Sequence, residues 1–214
     1  MKKIILILTT LVWAVTALAQ TPEEIIARME ATMESPEQYR EHGAAMTMDM
    51  KMPIIGTVTS RAYAKGDKIR LEIIKDGKTE LITWRDGKTD WTYELAKNTI
   101  EIKDDTSASA SGSVQQDADM AMFTGVSEGY DVSIRKETAD AWYLRCRKSR
   151  TNTKKYDPKT MDLVVEKGTY KPLSLSAKVS IVSLTIRDIS YGVSDEFVTF
   201  DAAKYPSATF VDKR

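Results

Sequence analysis

Cysteine and histidine are almost missing from this chain: Cys146 and His42 are single representatives of their types among 214 residues. One cysteine excludes an intramolecular disulfide, so the fold has to rest on its apolar core even in an oxidising compartment. Enzyme readings find little support. His42 lies in a polar connection, and the serines between Ser107 and Ser113 lack the G-x-S-x-G context of an activated nucleophile. Cys146 alternates in a strand-like pattern with Arg145 and Arg147, which points those arginines away from it and makes it a buried small hydrophobe. Asp86, Asp90 and Glu94 fit turns and solvated faces better than an acid/base pair. No catalytic constellation, cofactor motif or metal-ligand spacing of the His/Cys type is legible.

Charge of one sign is also missing. Without Lys2 and Lys3 the chain holds 29 basic against 31 acidic residues, which argues against electrostatic binding of nucleic acid. Long apolar runs are absent after the first residues. Lys2 and Lys3 precede the run from Ile4 to Val15, and Ala17-Leu18-Ala19 is a small-x-small cleavage pattern. Residues 1–19 therefore read as a cleaved signal peptide and 20–214 as one domain. Position 20 is Gln, so no lipid-anchored cysteine follows the cut, and no later segment approaches the ~20 apolar residues that span a bilayer. The expectation is a soluble exported protein.

What is present is periodicity. Thr21-Pro22-Glu23-Glu24 is a helix start with a hydroxyl cap, proline at the first helical position and glutamate three residues after the cap. Ile25, Ile26, Met29 and Met33 then recur at helical spacing to about Glu34. From Ala44 the period changes to two. Met46, Met48, Met50 and Met52 alternate with Thr47, Asp49 and Lys51, which puts four soft, adaptable thioethers on one side of a strand. Turn signals at Pro53, Gly56, Gly66-Asp67, Asp76-Gly77 and Asp86-Gly87 divide the next segment into strands over 56–65, 68–75, 79–85, 89–94 and 98–103. Residues 104–116 read as a mobile serine-rich loop, and 117–124 as a short helical segment carrying Met120, Met122 and Phe123. Strands follow over 130–136, 141–148, 161–167, 173–178 and 179–189, the last with a bulge, and an extended tail over 197–214. The class is mainly β with helices (α+β), one large curved sheet that must curl over its helices or close into a barrel.

Arg85 to Tyr93, RDGKTDWTY, followed by Ile100 and Ile102, resembles the DGKTxWxY hairpin of the periplasmic lipoprotein carrier (LolA-like) family. The KGDKIRLE strand (Lys65 to Glu72) and the tail, Phe197-Val198-Thr199-Phe200-Asp201, Lys204-Tyr205-Pro206 and Val211-Asp212, are similar too. The resemblance implies a half-open antiparallel β-barrel of about eleven strands, covered by the N-terminal helix and a loop/helix lid, whose cavity takes lipoprotein acyl chains across the periplasm. It also implies an inner-membrane release complex and an outer-membrane acceptor as partners. Such carriers have Arg-Pro before the strand that here starts at Lys68; the matching pair is Lys65-Gly66, making Lys65 the candidate lid contact, without arginine's fork of donors.

The candidate cavity wall is Met29, Met33, Met46, Met48, Met50, Met52, Ile69, Leu71, Ile73, Trp91, Tyr93, Ile100, Ile102, Met120, Met122 and Phe123. The competing expectation is that these side chains simply fill one another's space. Two further readings stand beside the carrier: a non-transporting binding or sensing module on the same fold, and Cu(I) binding by the methionine strand. Neighbouring thioethers on one face of a strand lie roughly 6.5–7 Å apart, too far to share an ion without irregularity. A monomer is expected.

Overall fold

The computed structural model describes residues 20–33, 41–105, 123, 125–155 and 157–214. The expected signal peptide and nearly all of the expected serine-rich loop and the segment after it lie outside the described residues. The first element is α1 (Pro22–Met33). The Thr21 hydroxyl accepts the Glu24 amide and the Glu24 carboxylate accepts the Thr21 amide, the reciprocal pair that the sequence spacing predicts.

Among the described residues twelve strands follow: β1 (Ala44–Met52), β2 (Gly56–Lys65), β3 (Lys68–Lys75), β4 (Lys78–Arg85), β5 (Thr89–Glu94), β6 (Thr99–Asp104), β7 (Tyr130–Glu137), β8 (Ala141–Lys148), β9 (Thr160–Glu166), β10 (Pro172–Val179), β11 (Val182–Tyr191) and β12 (Thr209–Asp212). β1 to β6 form one meander and β7 to β11 a second. The two are joined where β1 pairs with β11, so all strands belong to one sheet in the order β12-β6-β5-β4-β3-β2-β1-β11-β10-β9-β8-β7. The edge strands β12 and β7 do not meet, so the curved sheet stays open.

The turns follow backbone chemistry. At the β3–β4 turn Asp76 and Gly77 both have positive φ, 50° and 76°, as a two-residue hairpin matched to strand twist requires. The expected bulge lies in β11, where Asp188 has φ 54° and the pairing with β1 shifts by one residue.

Two further short α-helices lie among the described residues. α2 (Val126–Gly129) leads into β7, and α3 (Asp195–Val198) follows β11. The tail therefore differs from the extended segment expected: α3 is succeeded by a 3-10 turn over Ala202–Lys204. It ends as β12, parallel to β6, which supplies the twelfth strand where about eleven were expected.

The core lies between α1 and the second meander. Ile25, Ile26, Met29 and Met33 pack with Leu144, Cys146, Leu163, Val165, Leu175 and Ile186, all essentially removed from solvent. Among the described residues no helix is long and apolar enough to cross a membrane.

Candidate functional site

Directly paired residues of neighbouring strands point to the same side of a sheet, so the registers trace which side chains share the face beneath α1. One row runs Met46, Ala62, Leu71, Thr83, Thr92, Glu101. The row on one side runs Ala64, Ile69, Arg85, Asp90, Lys103, and on the other side Met48, Ser60, Ile73, Leu81, Glu94, Thr99. Met48 continues to Ile186, and Met50 lies between Val58 and Leu184. The face is therefore apolar from β8 to β3 and turns polar from β4 to β6.

Coverage divides it again. Under α1 it is closed; from β1 to β4 it is only partly covered. The methionine strand spans that change: Met46 is buried, Met48 and Met52 are half-buried, and Met50 is 37% exposed. Ile69, Leu71, Ile73 and Leu81 are half-buried beside it.

The expected cavity wall thus splits into three groups. Met29 and Met33 are packed core, as is Phe123, whose side chain joins the cluster under α1. Met120 and Met122 lie outside the described residues. Met46, Met48, Met50, Met52, Ile69, Leu71 and Ile73 share the inner face.

Trp91, Tyr93, Ile100 and Ile102 do not. Their registers with Trp84 and Ile82 put them on the opposite face, with Arg70 and Glu72 of β3. The physical reason is the tail. Phe200 stacks on Trp91 with centroids 5.1 Å apart and meets Trp84 edge-on at 5.4 Å, while Tyr205 meets Tyr93 at 5.1 Å. The Arg70 guanidinium lies 4.3 Å from the Phe197 ring centroid and pairs with Glu72 at 2.6 Å. Chain-terminal aromatics thus cover an apolar outer face, and these four residues leave the candidate site.

The Lys65 Nζ lies 3.1 Å from Asp195 Oδ2 at the start of α3, and nearly all of the segment expected as its lid partner lies outside the described residues.

The polar half of the inner face was missed. Arg85 Nε donates to Asp90 at 3.0 Å, the Thr92 hydroxyl donates to the other Asp90 oxygen at 2.9 Å, and Thr83 and Thr92 lie 3.4 Å apart. Lys103 and Lys213 both pair with Glu101, holding its carboxyl down at about 2. The alternation of Thr83 and Arg85 with Trp84 was the signal that could have found it.

Among the described residues no group of three His, Cys, Asp or Glu could hold a metal ion. Cys146 is wholly buried, and burial pushes its thiol up to about 12. Arg145 points away and forms an ion pair with Asp162 at 2.7 Å.

No family model and no curated protein matches the sequence. Among solved structures, the lipoprotein LppX of Mycobacterium tuberculosis is similar at 8% identity over 81% of this chain and 98% of its own, with a TM-score of 0.50. A LolA superfamily protein from Nitrosomonas europaea matches at 13% identity over 86% and 99%, TM-score 0.33. An uncharacterized conserved protein from Thermus thermophilus matches at 17% identity over 91% and 100%, TM-score 0.41. At such identities the likeness is one of fold, and the LppX match carries it. The open, curved sheet with its packed helix is the mainly β architecture expected from the sequence, and it is the fold shared with LppX.

Proposed function

We propose that this protein is a soluble periplasmic carrier or chaperone that holds the acyl chains of lipoproteins, or of another lipid, for delivery to the outer membrane. The observation that carries the reading is the inner face of β1 to β3, where Met48, Met50, Ile69, Leu71 and Ile73 remain half-buried or exposed. The fold shared with a lipoprotein of known structure supports it. Burying a lipid chain contributes about 0.8 kcal/mol per CH₂, so such a face can bind strongly with no catalytic group or cofactor. Methionine suits the task because its flexible thioether adapts to differing chain shapes.

A fluorescent fatty-acyl probe tests this. The wild-type protein is expected to take up the probe, and Met50→Asp or Leu71→Asp to weaken uptake at least about tenfold, because a carboxylate facing an acyl chain loses hydration without gaining a partner. Trp91→Leu, on the outer face, should leave probe affinity unchanged. A wild-type protein that ignores the probe, and carries no acyl ligand by mass spectrometry when isolated from its native compartment, overturns the reading. Uptake without transfer to acceptor vesicles would assign a binding module in place of a carrier.

A further inference from the structure

Strand direction brings several connections to one end of the sheet, among them residues 53–55 between β1 and β2, the turn at 76–77 between β3 and β4, and the turn at 180–181 between β10 and β11. Because β1 pairs with β11, the first and last of these are adjacent hairpin tips. Both tips carry isoleucine. Ile54 is 97% exposed, Ile181 67% and Ile55 63%, the most exposed large hydrophobic side chains among the described residues.

Turns ordinarily take polar or small residues, and isolated surface hydrophobics need no explanation. Three isoleucines on neighbouring tips form a group, and the group is continuous along β1 with Met52 and Met50. Lysine surrounds it. Lys51, Lys75, Lys78 and Lys178 are all exposed, and none is in an ion pair among the described residues. Asp76 and Glu80 are the acidic residues beside them. The β8–β9 connection at the same end adds exposed Arg150, Lys154 and Lys159 against Asp157. The end is therefore basic in a chain whose total charge is balanced.

We propose that this end docks on an anionic lipid bilayer. Ile54, Ile55 and Ile181 enter the headgroup boundary, while the lysines around them meet lipid phosphates. Apolar tips alone would fit a protein groove equally well; the basic surround selects the membrane surface. Docking in this orientation turns the Met52 and Met50 end of the inner face toward the bilayer. The proposal stands on the exposed tips and does not depend on what the inner face carries.

Vesicle sedimentation of the chain beginning at Gln20 tests it. Binding is expected to phosphatidylglycerol-containing vesicles, with much less to pure phosphatidylcholine, and to weaken as salt rises. The combined Ile54→Ser, Ile55→Ser and Ile181→Ser variant should bind at least about tenfold more weakly. Lys51→Gln and Lys178→Gln together should cost about fivefold per lysine. As a second readout, Ile54→Cys can be labelled with an environment-sensitive fluorophore, since Cys146 is wholly buried; its emission should shift to the blue on anionic vesicles. An isoleucine variant that sediments like wild type, or a tip label that does not shift, overturns the proposal. Uptake of the soluble acyl probe should be unaffected by the isoleucine changes, so loss of membrane docking and failure of the carrier reading are separately visible.

Discussion

At the level of single residues, Cys146 ties a sequence pattern to a measurable property. Alternation with Arg145 and Arg147 put its side chain on the core side of β8, and there it packs with Leu144 and Met161 under α1. Burial, helped by the negative charges of Asp162 and Glu30, pushes its thiol up to about 12. An unfolded cysteine ionises near about 8.5. The folded pKa is the higher one, so the contribution is fully present below about pH 8.5 and is lost as pH rises toward 12. At pH 10 the loss should be about 2 kcal/mol. Comparing urea midpoints at pH 7 and pH 10 should show that fall in the wild type and a smaller one in Cys146→Ala. Tyr130, pushed up to about 12 by burial and by the charges of Asp157 and Cys146, is present in both proteins and largely drops out of the difference at pH 10, where the folded thiol is still protonated. Equal falls in the two proteins would mean that the thiol is hydrated in the folded state.

At the level of elements, the start of β1 is where the two meanders are stitched together. The Gly43 carbonyl accepts the Gly192 amide at 3.1 Å and the His42 carbonyl accepts the Val193 amide at 2.7 Å. Gly43 has φ +71°, and a Cβ there would lie 2.7 Å from the Ala64 carbonyl oxygen. Gly43→Ala should therefore cost about 1–3 kcal/mol, read as a lowered thermal midpoint, because the side chain meets backbone that cannot move aside. The outer face makes a parallel case: Trp84 is 2% exposed beneath Phe200 and Tyr205, and Trp84→Ala should cost about 3–5 kcal/mol. The hairpins themselves were legible, since alternation and Asp-Gly turns place strand ends to within a residue or two, apart from the start of β11, expected at 179 and found at Val182. Which apolar face looks inward was not. Ile100 and Ile102 alternate with charged residues in β6 much as Ile69, Leu71 and Ile73 do in β3, and only the pairing register separates them. A tail with Phe197, Phe200, Tyr205 and Phe210 needed something to cover, and that demand was the available clue. The exposed tips were equally readable, for two isoleucines between Pro53 and Gly56 sit where a turn wants polar residues.

For the whole molecule, one sheet serves two halves of different character. The second meander is sealed by α1, whose four apolar side chains are almost entirely buried, whereas β1 to β4 present apolar residues that remain partly open. The closed half can supply the stability that an open half forgoes, because strand pairing through β1 and β11 makes the two continuous. Regions with fewer buried contacts open at lower free energy, so amides of β2 to β4 should exchange with solvent deuterium faster than those of β8 to β10. An acyl ligand that binds only the folded protein stabilises it by an amount that grows with concentration over Kd. If that ligand lies on the open half, its protection should concentrate in β1 to β4, where local opening removes its contacts, and should barely change β8 to β10 below the limit set by global unfolding. Exchange measured with and without a saturating fatty-acyl ligand reads this directly. Protection centred on α1 and β8 to β10 would place the ligand within the packed core, requiring Met29 and Met33 to move aside, and would reverse the assignment of the two halves.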